Sequence, residues 1–314
     1  FPILQHYMKK KPMSPEVETE KIARNTPGFS GAQLFNLINE AALIAAKGNK
    51  DSITPSMLDE ARDKILMGVA RTSLVQTEEA RKLTAYHEGG HALVAMQTKG
   101  ANPIHKATIV PRGHALGMVS QLPDKDEFSI TREQMLASID VAMGGKVAEE
   151  LIFGVDKVTS GATSDLRQAT RMARHMVADC GMSDEIGPMH VEALLGNGRG
   201  GSGSELWGRV DSEVQRVLRE AYDRVKTLLT TNQEQLHKLA AALLEHETLT
   251  AKDIEEVLDG TFPAKASPGG GGAPTDSEEV TAIPEGEGGD DPIPAPATAA
   301  TVSAAAAVSA PADE

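Results

Sequence analysis

The sequence predicts a mainly helical protein: a small helical bundle, then a larger and mostly helical domain with one β-hairpin, then a tail without a core. Three observations predict this. Apolar residues make up 40% of the 314 but aromatics only 3%, so any core is packed from Leu, Ile, Val, Ala and Met, which favours helices over a β-sandwich. Apolar positions recur at helical spacing behind recognisable caps through residues 1–72 and most of 73–260. From 261 onward Pro, Gly, Ala and acidic residues take over, a composition that buries too little apolar area to offset its ordering entropy, and 261–314 reads as a disordered tail.

The first part is helical throughout. Ser14-Pro15 places a cap before a proline and predicts a helix to about Arg24, which Thr26-Pro27-Gly28 breaks. Ser30 caps a long amphipathic stretch carrying Leu34, Leu37, Ile38, Ala41 and Ala45, stopped by Gly48-Asn49. Thr54-Pro55 opens another, with Leu58, Ala61, Ile65 and Leu66 on one face. A bundle this small rarely stands alone and is expected to cap a neighbouring domain.

In the second part Thr77 starts a helix running to about Thr98. His105–Pro111 and Leu116–Leu122 read as paired strands around Arg112-Gly113-His114. Helices are predicted at about 131–153, 164–180, 205–231, 233–246 and 250–259, with the Gly/Ser tract 196–204 as a flexible loop.

Composition also excludes functions. Net charge is −14, of which −8 falls in the tail, with nine acidic residues and one Lys. Phosphate binding needs clustered Lys and Arg, so no nucleic acid is expected as partner. The lone Cys180 rules out an internal disulfide or a Cys-rich metal site and is expected to pack as a small apolar residue. No window has the roughly 18–20 apolar residues of a membrane span. The chain opens at Phe1 without Met and reads as a piece of something longer.

The segment Ala85-Tyr86-His87-Glu88-Gly89-Gly90-His91-Ala92 carries chemistry. On a helix, His87 and His91 project from one face and can reach one tetrahedral zinc ion. Glu88 lies about 100° round the helix, beside the metal, where a base taking a proton from water must be. By chance such spacing arises in on the order of one or two chains per hundred, and the bland reading is a surface helix with solvated histidines. Leu83, Ala92, Leu93, Val94 and Met96 argue instead for burial, and buried imidazoles need partners. Gly89 and Gly90 each cost about 1 kcal/mol in a helix interior and point to close backbone approach. A peptidase site needs a third protein ligand; Glu149, Glu150 and Asp165 are the candidates, and the residues alone do not choose among them.

Taken with Thr26–Ala32, Asn39–Ala42, Ala107–Gly117, Gly144–Glu150 and Thr159–Asp165, this motif resembles the FtsH family of ATP-dependent zinc metalloproteases, especially the eukaryotic organellar i-AAA branch, over about residues 1–260. The resemblance implies a zincin-type peptidase domain at 73–260, with Asp165 as third zinc ligand, Glu149 behind the ligands, and Glu88 as general base. Thr108, Ile109, Val110, Gly117 and Met118 would offer an edge on which an extended substrate pairs through its backbone. Residues 1–72 would be the helical lid of an AAA+ module, with Gly31 and Ala32 near bound ATP and Mg2+. The phosphate-binding half is not present: nothing matches G-x-x-x-x-G-K-[ST], and Gly144-Gly145-Lys146-Val147 is better read as helix packing by small residues. By the same resemblance the partners are unfolded polypeptides and a homo- or hetero-hexamer, tethered by an N-terminal span outside this chain to a mitochondrial or chloroplast membrane. A catalytically silent chaperone or assembly subunit of the same ring is the competing expectation. Gly89, where alanine or serine is usual, and Gln33, where Asp is usual, depart from the family pattern without touching a ligand or the base.

Overall fold

The computed structural model describes residues 1–71, 74, 76–113, 115–122, 129–195 and 203–263. His114, the Gly/Ser loop at 196–202 and the tail from 264 lie outside the described residues. The described part is mainly helical, with one three-stranded sheet.

Its apolar interior falls into two clusters. The first is built by α1 (Pro2–Met8), α2 (Thr19–Arg24), α3 (Gly31–Lys47) and α4 (Pro55–Met67). Helix α3 starts where the Ser30 hydroxyl caps the Gln33 amide and the Gln33 side chain returns to the Ser30 backbone. It buries Leu34, Leu37, Ile38, Ala41 and Ala45. One boundary departs from expectation: α2 begins at Thr19, not behind Ser14-Pro15. The Ser14 amide donates instead to Ile53 O, and Met13 bridges Ile53, so the α3–α4 connection holds that stretch extended.

The second cluster centres on α5 (Glu78–Gln97), α6 (Arg132–Phe153), α9 (Gly203–Thr231) and α10 (Gln233–His246), with α7 (Thr163–Arg174), α8 (Val191–Leu195) and α11 (Ala251–Asp259) around them. Leu93, Ile139, Met176, Leu229, Leu236, Leu239, Leu243 and Leu249 are its largest fully buried side chains, an aliphatic core as the composition requires. Helix α7 continues through one π-turn at His175–Asp179. Strand β1 (Ile104–Thr108) pairs antiparallel with β2 (Met118–Gln121) on one side and β3 (Thr248–Thr250) on the other, in the order β2-β1-β3. Strand β3 and helix α8 have no counterpart in the sequence reading; three and five residues are too few for a periodic signal.

Helices α5 and α6 cross closely enough to touch backbones. A Cβ on Gly90 would lie 2.5 Å from Gly144 O, and one on Gly144 would lie 2.8 Å from Gly90 O. Gly90 is therefore required by the crossing, whereas Gly89 meets nothing nearer than 3.5 Å and is not. This crossing sets α6 directly against the motif helix.

Candidate metal centre

Helix α5 is capped by the Thr77 hydroxyl on the Ala80 amide and is buried through most of its second half. One turn apart on it, the His87 and His91 rings sit with centroids 4.7 Å apart and Nε2 atoms 3.1 Å apart. Asp165, in the first turn of α7, brings Oδ2 to 3.3 Å from His87 Nε2 and 3.6 Å from His91 Nε2. These three residues form the one group of potential metal ligands among the described residues.

The outer nitrogens decide what the inner ones can do. His91 Nδ1 lies 2.6 Å from the Val141 carbonyl, which can only accept, so Nδ1 carries the proton. His87 Nδ1 donates to Glu149 Oε1 at 2.7 Å. In their neutral forms both rings therefore point Nε2 lone pairs at one spot, where a carboxylate oxygen also points. Three acceptors converge with no donor between them, which fits a cation. The same spot draws positive charge: burial opposes a charge on His87, yet its bonds to Asp165 and Glu149, with Glu88 nearby, push its pKa up to about 10, so a bound cation would take the place of a proton on Nε2. Burial would raise the Asp165 carboxyl, but the two imidazoles hold it well below the usual carboxylate range.

Glu149 is fully buried and does two jobs. Oε1 holds His87, while Oε2 accepts from the Thr159 amide at 2.8 Å and hydroxyl at 3.1 Å. It thereby ties the imidazole to the turn that leads into Asp165. Burial pushes its carboxyl up, but the bonds from His87 and Thr159 prevail and lower it. Glu150 faces the other way, bonded to the Tyr222 hydroxyl, Lys226 and Lys146. Of the three carboxylates open to sequence reasoning, only Asp165 lies on the Nε2 side.

Glu88 is 5% exposed, and burial pushes its carboxyl up more than the neighbouring imidazoles pull it down. Two glycines shape this pocket. A Cβ on Gly145 would lie 2.5 Å from His91 Nε2 and from His87 Cε1, so the α6 backbone forms a wall against the rings. A Cβ on Gly117 would lie 2.6 Å from Glu88 Oε1.

The strand residues separate. Thr108 pairs with Met118 on one side and Thr248 on the other, its hydroxyl meets Thr248 Oγ1 at 2.8 Å, and it is 4% exposed. The Ile109 amide donates to Glu247 O and the Val110 amide to Thr108 Oγ1. Thr108 is therefore paired on both sides and Ile109 is bonded to Glu247, so neither offers the free edge expected of it, while Val110 lies past the last paired residue of β1. Met118 opens β2, which is an outer strand, and Gly117 precedes it. Gly31 and Ala32 stand at the start of α3 in the first cluster, away from the metal cluster.

Sequence reasoning missed the Val141 carbonyl and Thr159, which act through backbone groups or through distant pairing that no local spacing reveals. The structure sets His237 Nδ1 2.8 Å from the Tyr86 hydroxyl and places His105 in β1, 3.7 Å from Asp59.

Two imidazoles a helical turn apart, a glutamate between them in sequence and a carboxylate from another helix make up the arrangement of a metallopeptidase. The comparisons make the family specific. Residues 74–257 match peptidase family M41, and residues 16–60 match the AAA+ lid domain. The chain belongs to peptidase family M41. It is 54% identical over 256 residues to the ATP-dependent zinc metalloprotease FTSH 11, chloroplastic/mitochondrial, of Arabidopsis thaliana, covering 82% of this chain and 31% of that protein. It is 52% identical to FTSH 9 of Oryza sativa subsp. japonica, over 82% of this chain and 34% of that protein. To the ATP-dependent zinc metalloprotease FtsH of Rickettsia bellii it is 51% identical, over 82% and 41%. The chain thus spans 31% to 41% of the length of these relatives.

Proposed function

We propose that this chain is the peptidase part, with the end of the AAA+ module, of an ATP-dependent zinc metalloendopeptidase that degrades unfolded or damaged membrane and soluble proteins. Residues 1–72 are assigned to the AAA+ lid and 73–260 to the peptidase domain. The observation that carries this reading is the convergence of His87 Nε2, His91 Nε2 and Asp165 Oδ2, with both Nδ1 atoms already committed.

His87, His91 and Asp165 are the ligands, and Glu149 orients His87. A zinc ion so held supplies Lewis-acid polarisation of the scissile carbonyl and acidifies the attacking water. Glu88, with its carboxyl raised by burial, accepts the proton from that water and returns it to the leaving amine nitrogen. The substrate lies extended along the outer side of β2 from Gly117 and Met118, so its main chain supplies the hydrogen bonds and little sequence preference results. Gly31 and Ala32 are assigned to the nucleotide side of the lid, where ATP and Mg2+ bind chiefly to parts outside this chain.

The plant relatives are named chloroplastic/mitochondrial, and we assign this protein to an organellar membrane as a ring, a hexamer by family resemblance. No helix among the described residues is long and apolar enough to cross a membrane, so the tether belongs outside them.

Glu88→Gln tests the base. The variant should keep its zinc and lose cleavage of an unfolded protein by about 10²-fold or more. Cleavage at the wild-type rate by a zinc-loaded variant would refute the assignment.

A further inference from the structure

One group of buried charges lies outside the metal centre, where α4 of the first cluster meets β1 of the second. Asp63 is 4% exposed and accepts a hydrogen bond from Lys106 Nζ, on the central strand of the sheet. Arg112 Nη2 stands 4.0 Å from the same carboxylate oxygen. Arg62, 2% exposed, reaches Asp63 at 3.5 Å and Asp59 at 3.8 Å, and His105 lies 3.7 Å from Asp59.

Such a cluster is a poor way to add stability. Removing these charges from water costs about as much as their attraction returns, and an apolar contact of equal volume would do as well. Moreover, Arg62 Nε and Nη1 and Asp63 Oδ1 have no hydrogen-bond partner among the described residues. In some proteins a buried ion pair instead sets registry, a unique position of one element on another, and that use fits this contact.

The registry leads to the active centre. Lys106 pairs with Ser120 and Thr108 with Met118, so β2 goes where β1 goes. The segment after α4 runs beside the β1–β2 connection: the Arg71 amide donates to Pro111 O at 2.8 Å, Arg71 Nη1 to Gly113 O at 3.2 Å, and Ala70 bridges Arg112. Gly117, next to Met118, is the residue whose Cα faces Glu88 so closely that no Cβ fits.

We propose that Asp63 is a positioning residue for proteolysis: through Lys106 and Arg112 it fixes where β1 lies on α4, and so where the outer strand β2 presents itself to substrate beside Glu88. This deepens the functional reading above and rests on it for its kinetic consequence. Because the substrate is held by backbone pairing to β2, loosening β2 weakens binding more than chemistry. The metal ligands, on α5 and α7, are untouched.

The test uses Asp63→Asn and, from the other side of the contact, Lys106→Met, each in the whole chain. Hydrogen exchange reports on the sheet without reference to activity. Amides of 104–108 and 118–121 should exchange about tenfold faster in both variants, while those of 87–91 keep wild-type rates. Against an unstructured peptide, KM should rise about tenfold with kcat within about twofold, and zinc content should not change. Wild-type exchange in the sheet, or kcat, zinc and thermal stability falling together in both variants, would overturn the proposal. If Asp63→Asn fails to fold, Lys106→Met decides alone. If the wild type neither holds zinc nor cleaves peptide, the functional reading fails, while the exchange result still decides whether Asp63 positions the sheet.

Discussion

Gly117 is where a single atom matters most. Its Cα backs onto the Glu88 carboxylate, and the smallest side chain would place carbon 2.6 Å from Oε1. Gly117→Ala must move either Glu88, the proposed base, or the strand. Misplacement by about 1 Å costs about a hundredfold in rate, so peptide cleavage should fall by that order with zinc content unchanged; wild-type turnover would show that the base has room to spare. Its closeness to the base was hidden in the sequence, where Gly117 reads as part of the strand Leu116–Leu122 and, by resemblance, of a substrate-binding edge. The pair of histidines and the glutamate are legible because the information is local: four positions on one helix fix which side chains share a face. The partner carboxylate lies 74 positions beyond His91 and on another helix. No spacing chooses Asp165 over Glu149 or Glu150; only the family resemblance singled it out. In the structure the choice rests on which ring nitrogen each carboxylate faces.

The elements themselves were readable where their ends carry chemistry. The Ser30, Thr131 and Thr250 caps mark helix starts, and each forms a reciprocal capping box. Strand β3 escaped because its three residues become a strand only by pairing with β1, more than 130 positions earlier. That missing strand is what turned β1 from an edge into a centre. Helix α9 shows how an element can be pinned by one buried carboxylate. Glu213 is 4% exposed and accepts from Arg216 and from the Ser183 hydroxyl at 2.7 Å. Those bonds lower its pKa from the ordinary 4.5 despite burial. A lowered folded-state pKa gives stability that is present above 4.5 and lost as pH falls through the folded value. Glu213→Gln should therefore be less stable than wild type at pH 7 by about 1–2 kcal/mol, discounted because Arg216 is half-exposed. The gap should narrow below pH 4.5 in urea titrations. A gap independent of pH would mean that the Glu213 charge contributes nothing.

On the scale of the whole molecule, two apolar clusters meet across α4 and β1, and only the second contains the metal centre. The single Trp207 packs against that second cluster, beneath the Arg174 guanidinium at 4.9 Å. It is therefore a reporter of the metal-bearing part. A ligand bound to the folded state alone stabilises it by about 4 kcal/mol at a thousandfold excess over its dissociation constant. Chelating the metal should shift the Trp207-monitored unfolding to lower temperature, and added zinc should restore it. An unfolding midpoint indifferent to chelation would place the metal, if any, outside this fold. The sequence leads one to expect a helical bundle at 1–72 ahead of a mostly helical domain with a β-rich patch at 73–260. The ionic contact between α4 and β1 is not legible there, since nothing in the sequence pairs Asp63 with Lys106.

The central claim is that His87, His91 and Asp165 together hold one zinc ion while Glu149 only orients His87. Elemental analysis of the purified wild type beside Asp165→Ala and Glu149→Ala tests it most directly. The account predicts about one zinc per wild-type chain, none retained by Asp165→Ala after dialysis, and binding weakened about 10- to 100-fold in Glu149→Ala. A full equivalent of zinc on Asp165→Ala, or none on the wild type, would contradict it.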